Sequence, residues 1–247
     1  MKTTKAILLS TLITLLFVGN FFIFQTFAEE SELQSALVTR IIDGDTLEIN
    51  GQTPIRFANI DTPEKNELGY SEALNFLIPL LNTTIQIEII EPGKYGRPIS
   101  RVYTDKYMNL EIIKQGLATK SLVYDSETKL FSEAEEFAIS EQNGLWKKSD
   151  FAGCISTKID QQDEFVEIKS ECGILDFTDW RIKDESRKKY KFPRLFTNNI
   201  ILNSHNGIDN ETDLFWGSDQ NVWNNDRDTL YLFDAEGKLV HHEIYGY

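Results

Sequence analysis

Histidine and cysteine are scarce in this chain of 247 residues, with three of the first and two of the second. His205, His241 and His242 show no metal-ligand spacing, and the adjacent pair on an extended run points to opposite faces. No histidine lies near Cys154 or Cys172 in sequence, which disfavours a thiolate metal site. Positive charge is also short, at 25 Lys+Arg against 39 Asp+Glu. That argues against a nucleic-acid coat protein with a broad basic face, and the C-terminal half is the more acidic of the two. It leaves room for an enzyme that meets a phosphodiester through a metal and a few arginines. Low-complexity tracts are absent, and with 41% hydrophobic residues the composition is that of a globular protein. The length admits two modest domains or one large one.

Charge is missing altogether between Ala6 and Ala28, after Lys2 and Lys5. The run reads as a secretory signal with Thr26-Phe27-Ala28 as its cleavage site. It also reads as an uncleaved anchor, because a run of this length can span ~30 Å of hydrocarbon. Gly19, Asn20 and Gln25 lower its apolarity and keep both readings open. Both lysines precede the run, so either version exports the remainder. The chain is then secreted, or anchored to the outer face of the cytoplasmic membrane. In that compartment an even pair of cysteines favours a Cys154–Cys172 disulfide.

What the chain does have is a stretch of acids set at the ends of apolar runs. Val38–Ile49 and Thr53–Ile60 read as strands joined across Asn50-Gly51, a hairpin-turn signal. Ser71 is placed to cap a helix running to about Leu81. Ile85, Ile87 and Ile89 alternate within Thr83–Ile90, a strand, and Ile99–Tyr103 is another. Asn109 is placed to cap a short helix closing near Gly116, and Thr119–Tyr124 is a brief extended piece. A last helix covers Lys129–Gln142, with a capping-box pattern at Ser132 and Glu135 and an apolar stripe of Leu130, Ala134, Phe137 and Ala138. This order suggests a five-stranded oligonucleotide-binding barrel with helices packed on it. Beyond Ser149 the runs become short, β-branched or aromatic, which reads as a β-sandwich. The expected class is mainly β with helices, an α+β barrel followed by a sandwich, divided between Trp146 and Cys154.

Asp43 and Asp45 flank Gly44, and Asp61, Thr62 and Glu64 follow the second strand, five residues after Arg56. Carboxylates with a carbonyl and waters suit Ca²⁺, and the absence of His and Cys from the segment argues against Zn²⁺. Thr62 offers a carbonyl or hydroxyl. Glu64, after the stiff Thr62-Pro63 step, is placed to take a proton from a water. Arg56 and Arg97 have the chemistry to clamp phosphate oxygens. The plain alternative is that the acids are turn residues and that Arg56 pairs with Glu64.

IDGDT at Ile42–Thr46, RFANIDTPE at Arg56–Glu64, KYGR at Lys94–Arg97 and NLEIIKQGLA at Asn109–Ala118 occur in one order over about 110 residues. In these motifs Val38–Trp146 resembles the staphylococcal nuclease (thermonuclease) family. The resemblance implies an oligonucleotide-binding barrel that cleaves DNA and RNA with Ca²⁺. It implies Asp45, Asp61 and Thr62 as metal ligands, Arg56 and Arg97 as catalytic arginines, and Glu64 as the proposed general base. Lys94, Tyr95 and Tyr124 match substrate-binding positions. Leu122 stands where the family has a second tyrosine, and Lys65–Gly69 is short and lacks a run of lysines. The expected partner is nucleic acid, bound weakly. The alternative is a weak or inactive barrel reused for binding.

EFVEIKSEC at Glu164–Cys172, LDFTDWRIKDES at Leu175–Ser186 and YKFP at Tyr190–Pro193, followed by LFWG, VWNN and DTLYLFDAEGKLV, resemble a lamin-tail domain of the prokaryotic secreted type. That likeness implies an immunoglobulin-like sandwich over Cys154–Tyr247, behind a barrel domain at 37–148 and a leader or anchor at 1–28. Related exported domains carry cysteines where Cys154 and Cys172 stand. A tethering or partner-binding role is the expectation for this half, with the partner unidentified and membrane attachment resting on the N-terminal segment. Trp180, Trp216 and Trp223 read as packing aromatics, and the basic cluster Arg187–Lys191 reads as a solvated loop.

Overall fold

The computed structural model describes residues 33–247, so the expected leader at 1–28 lies outside the described residues. Among the described residues no helix is long and apolar enough to cross a membrane. The first half comprises β1 (Gln34–Ile41), β2 (Thr46–Ile49), β3 (Thr53–Phe57), β4 (Ile60–Asp61), α1 (Tyr70–Leu77), β5 (Thr84–Glu91) and β6 (Ile99–Tyr103), then α2 (Met108–Lys114), β7 (Thr119–Lys120) and α3 (Thr128–Ser140). Five of the strands close into a barrel in the order β1-β2-β3-β6-β5, with β3 and β6 parallel. Alternation puts Val38, Leu47, Ile55, Ile85, Ile87 and Val102 inside, in one apolar core with residues of α1 and α2 and Phe131 of α3.

Several local expectations shift for physical reasons. The strand expected over Val38–Ile49 breaks at Asp43–Asp45, because the Ile42 and Asp43 amides both turn back to the Thr46 carbonyl. Asn109 does not cap α2. It is fully buried, accepts from the Val102 amide at 2.9 Å and donates to the carbonyls of Ala58 and Ser100. The side chain thereby ties β6 to the chain just after β3, adding to the bond from the Ala58 amide to the Ser100 carbonyl. Ser71 is not a cap either, since α1 starts after Gly69 at φ 92. In α3, Leu130 and Phe137 face solvent while Phe131, Ala138 and Ile139 face inward, and Glu135 is drawn into the interior instead of capping.

The second half contains β8 (Ile155–Asp160), β9 (Phe165–Ser170), β10 (Leu175–Asp176), β11 (Arg181–Lys183), β12 (Lys189–Lys191) and β13 (Phe196–Thr197). It ends with β14 (Asn199–Asn203), β15 (Asp213–Phe215), β16 (Asp228–Phe233) and β17 (Leu239–Tyr245). Two four-stranded sheets, β12-β11-β16-β17 and β15-β14-β9-β8, share an apolar core that includes Val166, Ile182, Leu202, Leu232, Trp180 and Trp223. The cysteines Cys154 and Cys172 are joined, tying the start of β8 to the turn after β9.

The two halves meet through a buried seam. Trp146 stacks on Tyr231 with ring centroids 5.6 Å apart, beside Ala138, Ile139 and Leu239. Lys120 of β7 and Glu135 of α3 are both fully buried and pair at 2.9 Å. From β16, Thr229 lies within bonding reach of the same ammonium, and the Tyr231 hydroxyl donates to Glu135. A buried charge pair is costly unless its remaining valences are filled, and here the second half fills them.

Candidate active site

The turn between β1 and β2 is shaped to press a carboxylate inward. Asp43 accepts the Asp45 amide at 3.1 Å, so Asp43 is a turn residue. A Cβ on Gly44 would lie 2.7 Å from the Ala73 Cβ and 2.8 Å from the Thr62 Oγ1. Only glycine lets this turn lie so close against α1 and the β4 strand end.

Asp45 is 3% exposed. Its Oδ1 accepts from Arg56 Nη1 and from the Thr46 hydroxyl, and its Oδ2 accepts the Thr62 amide at 3.2 Å. Burial pushes the Asp45 carboxyl up to about 6 against the pull of Arg56, with Asp43 and Asp61 adding to the rise. Arg56 also donates through Nη2 to the Ile60 carbonyl at 3.0 Å, and the same nitrogen lies 3.6 Å from Asp61 Oδ1. One guanidinium therefore faces both acids, and the alternative pairing of Arg56 with Glu64 does not occur.

Asp61 is 6% exposed, and its β4 backbone pairs with Thr119 of β7. Its Oδ2 accepts from Lys183 Nζ at 2.8 Å, and Lys183 also donates to the Thr119 hydroxyl at 2.8 Å. Burial alone would raise the Asp61 carboxyl. Lys183, by charge and by hydrogen bond, and then Lys189 and Arg56, hold it below the ordinary aspartate value. Sequence reading missed Lys183. It sits in a strand of the second half, 122 residues from its partner. Its one signal is a lysine beside Ile182 and Trp180 in a strand that faces a core.

The remaining expected residues sit on two loops beside this cluster. Glu64 is exposed and its amide donates to Glu67. Lys94, Tyr95 and Gly96 form a single turn between β5 and β6, with Tyr95 at φ 59 and 90% exposed. Arg97 is half-buried next to Pro98, whose carbonyl accepts the Arg56 amide at 2.9 Å, so the two arginines share one edge of the barrel. The side chains of Glu64, Lys94, Tyr95 and Arg97 form no hydrogen bond or ion pair with another described residue. Arg56 borders a shallow pocket with Glu91, Leu122 and Tyr124. Tyr124 is half-buried there, and its phenol is pushed up to about 12 by burial and by Glu91. Leu122 is 58% exposed on its rim.

The donors offered by Asp45, Asp61 and Thr62 are all oxygens, which suits a hard divalent cation. Among the described residues no cluster of three or more His, Cys, Asp or Glu forms. A cation at this place would thus take two carboxylates, Thr62 and solvent. The buried negative charge at Asp45, which Arg56 only partly offsets, fits that demand.

The family model described as staphylococcal nuclease homologue matches residues 54–148. Thermonuclease of Staphylococcus intermedius is 34% identical over 131 residues, covering 47% of this chain and 77% of that protein. This chain belongs to the staphylococcal nuclease family. Endonuclease YhcR of Bacillus subtilis (strain 168) is 28% identical over 139 residues, which is 46% of this chain and 11% of that far longer protein. A probable endonuclease of Uncinocarpus reesii (strain UAMH 1704) is 32% identical over 116 residues, or 38% of this chain and 37% of the relative. The family match covers the barrel from β3 onward, with α1 to α3 and Trp146. It therefore contains Arg56, Asp61, Glu64, Arg97 and Tyr124, while Asp45 lies just before it.

Proposed function

We propose that this chain is an exported, Ca²⁺-dependent nuclease that hydrolyses phosphodiester bonds of DNA, RNA or both. The observation that carries the reading is the pair of buried carboxylates, Asp45 and Asp61, facing one arginine that itself borders a pocket. Asp45, Asp61 and Thr62 would hold the calcium, which when bound supplies charge to a phosphoryl oxygen and makes a water more acidic. Glu64, exposed and unpaired, accepts the proton of the attacking water. Arg56 and Arg97 stabilise the charge that grows on phosphorus-bound oxygens. Lys94 and Tyr95 contact a flanking phosphate, and Tyr124 lines the place for a base or sugar. The similarity to proteins named nucleases supports the nuclease reading as a whole. The chain is organised as a leader or anchor at 1–28, a nuclease domain at 37–148 and a lamin-tail domain at 154–247 that tethers it or binds a partner. The paired four-stranded sheets support the last of these.

A binding module without catalysis is the second reading, favoured by the fact that Asp45 and Asp61 each already carry a protein cation. Hydrolysis of a single-stranded oligonucleotide, followed with Ca²⁺ and with chelator, separates the two. Cleavage that needs Ca²⁺ and falls at least 100-fold in Arg56→Ala is expected, on the order of one lost transition-state donor. Activity lost in chelator but retained in Arg56→Ala would sink the residue assignment. No cleavage under either condition, with strand binding intact, would establish the module.

A further inference from the structure

The β11–β12 hairpin of the second half is built against the nuclease site, and its tip carries a cation with no assigned task. Lys183 at the end of β11 holds Asp61, and Lys189 at the start of β12 bonds both oxygens of Glu67 at 2.9 Å. Between them the chain is tied into a tight loop. Asp184, fully buried, accepts the Lys188 amide at 2.6 Å and the Ser186 hydroxyl, and its own amide donates to the Lys188 carbonyl. The basic cluster Arg187–Lys191 keeps Arg187, Lys189 and Lys191 at the surface, as expected of a solvated loop, yet three of its cations are paired. Lys188 closes on Asp184, Lys189 on Glu67 and Lys191 on Asp179.

Arg187 is the exception. It is exposed and forms no hydrogen bond or ion pair with another described residue. Its backbone is left-handed at φ 77, a conformation that favours glycine and costs an arginine about 1 kcal/mol. It lines the same pocket as Arg56, Leu122 and Tyr124. A strained residue held by an over-determined loop and turned toward a functional pocket is a recurrent mark of a site residue. The barrel meanwhile lacks a stacking aromatic at Leu122 and a lysine run at Lys65–Gly69.

We infer that Arg187 is a substrate-binding residue, a cation that the second half extends over the pocket to hold a backbone phosphate of a single-stranded nucleic acid. The inference rests on the nuclease reading for the identity of the pocket. A guanidinium suits this task, because its planar fork can take two phosphate oxygens and holds its charge at any working pH. The loop is ordered before the ligand arrives, so little freedom is lost on binding. The result is a cleft with one wall from each half of the chain.

The test replaces Arg187 by glycine, which relieves the left-handed backbone and removes the charge. Arg187→Gly should melt at or above the wild-type temperature. Its KM for a short single-stranded oligonucleotide should rise about tenfold with kcat within about twofold, the pattern of a lost binding contact. The slope of log affinity against log salt should shrink by about 0.7, the value of one phosphate contact on a single strand. Arg187→Lys should recover part of the KM, and Lys191→Ala, on the same hairpin but paired with Asp179, should leave it unchanged. Wild-type KM and salt slope in Arg187→Gly would overturn the inference and leave the nuclease reading standing. A chain that binds the strand without cleaving it would refute the nuclease reading instead. Fluorescence anisotropy of the same labelled strand then decides Arg187 alone: weaker binding supports it, and equal binding overturns it.

Discussion

Replacing Lys183 by methionine should unfold the chain more easily, and the structure sets the size of the effect. The substitution keeps the length of the side chain and deletes the ammonium that bonds Asp61 Oδ2 and the Thr119 hydroxyl, both at 2.8 Å. Asp61 is then left 6% exposed with Arg56 as its nearest remaining cation, at 3.6 Å. Removing one partner of a buried pair costs about 3–5 kcal/mol, because the other charge stays in the interior uncompensated. Asp61 and Lys183 line a separate pocket bounded by Pro63, Leu68 and Leu145, so the lower figure applies, ~3 kcal/mol. For a protein of this size that corresponds to a fall in Tm of ~6–12 °C. The pH dependence provides an internal check. Asp61 has a lowered carboxyl in the folded chain, so its contribution is present above the unfolded aspartate value and is lost as pH falls through the folded one. The gap between wild type and Lys183→Met, read by calorimetry, should be full near neutrality and close progressively below the ordinary aspartate range. Arg40→Ala, which breaks the exposed pair with Glu48, is the control and should shift stability by less than ~1 kcal/mol. Equal melting of Lys183→Met and wild type at neutral pH would refute the claim that the second half holds Asp61 in place.

Asp45 should behave in the opposite sense. Its carboxyl is raised to about 6, so its favourable contribution is present below the unfolded value and lost as pH rises through about 6. In chelator, the stability of Asp45→Asn relative to wild type should improve as pH rises from about 4 to 7, the direction set by the raised carboxyl, as thermal melts across that range would show. Added Ca²⁺ should raise the Tm of wild type and leave Asp45→Asn unmoved, as thermal melts with and without the ion would show. Glu64→Gln should lower kcat by ~10²–10⁴ in steady-state assays with little effect on fold, because the side chain is exposed and unpaired. Replacing Cys154 and Cys172 by serine opens a loop of 18 residues, which loop-closure entropy values at about 3 kcal/mol in denaturant melts.

The barrel was legible because its signals are local. Alternation in Thr84–Glu91 and the Asn50-Gly51 turn announce strands within a few residues, and motif order placed Asp45, Arg56 and Asp61 together. The helix caps were not legible. Asn109 and Glu135 carry the side chains that capping needs, yet each is spent on a buried partner: Asn109 on Ala58, 51 residues away, and Glu135 on Lys120 and Tyr231. Lys183 and Arg187 escaped for the same reason. Charge counting sees a basic cluster in an acidic domain, and only the folded chain shows which members are neutralised: Lys188 and Lys191 by acids of the same half, Lys189 by Glu67 of the other. Arg187 did leave a trace in the sequence, since DESRKK turns a hairpin without glycine.

The segment after Trp146 is where the sequence places the division between the two domains, and its backbone bonding has a consequence for how they hold together. Leu239 of β17 donates to the Lys147 carbonyl and accepts the Ser149 amide, both at 2.9 Å, so the crossing is a rung of structure and offers a protease no slack chain. A cut forced at this point would still leave Lys120 and Glu135 sealed under Thr229 and Tyr231. The halves should therefore stay together after nicking and migrate as one particle. Either half produced alone would expose a raw face of buried charge and tryptophan to water.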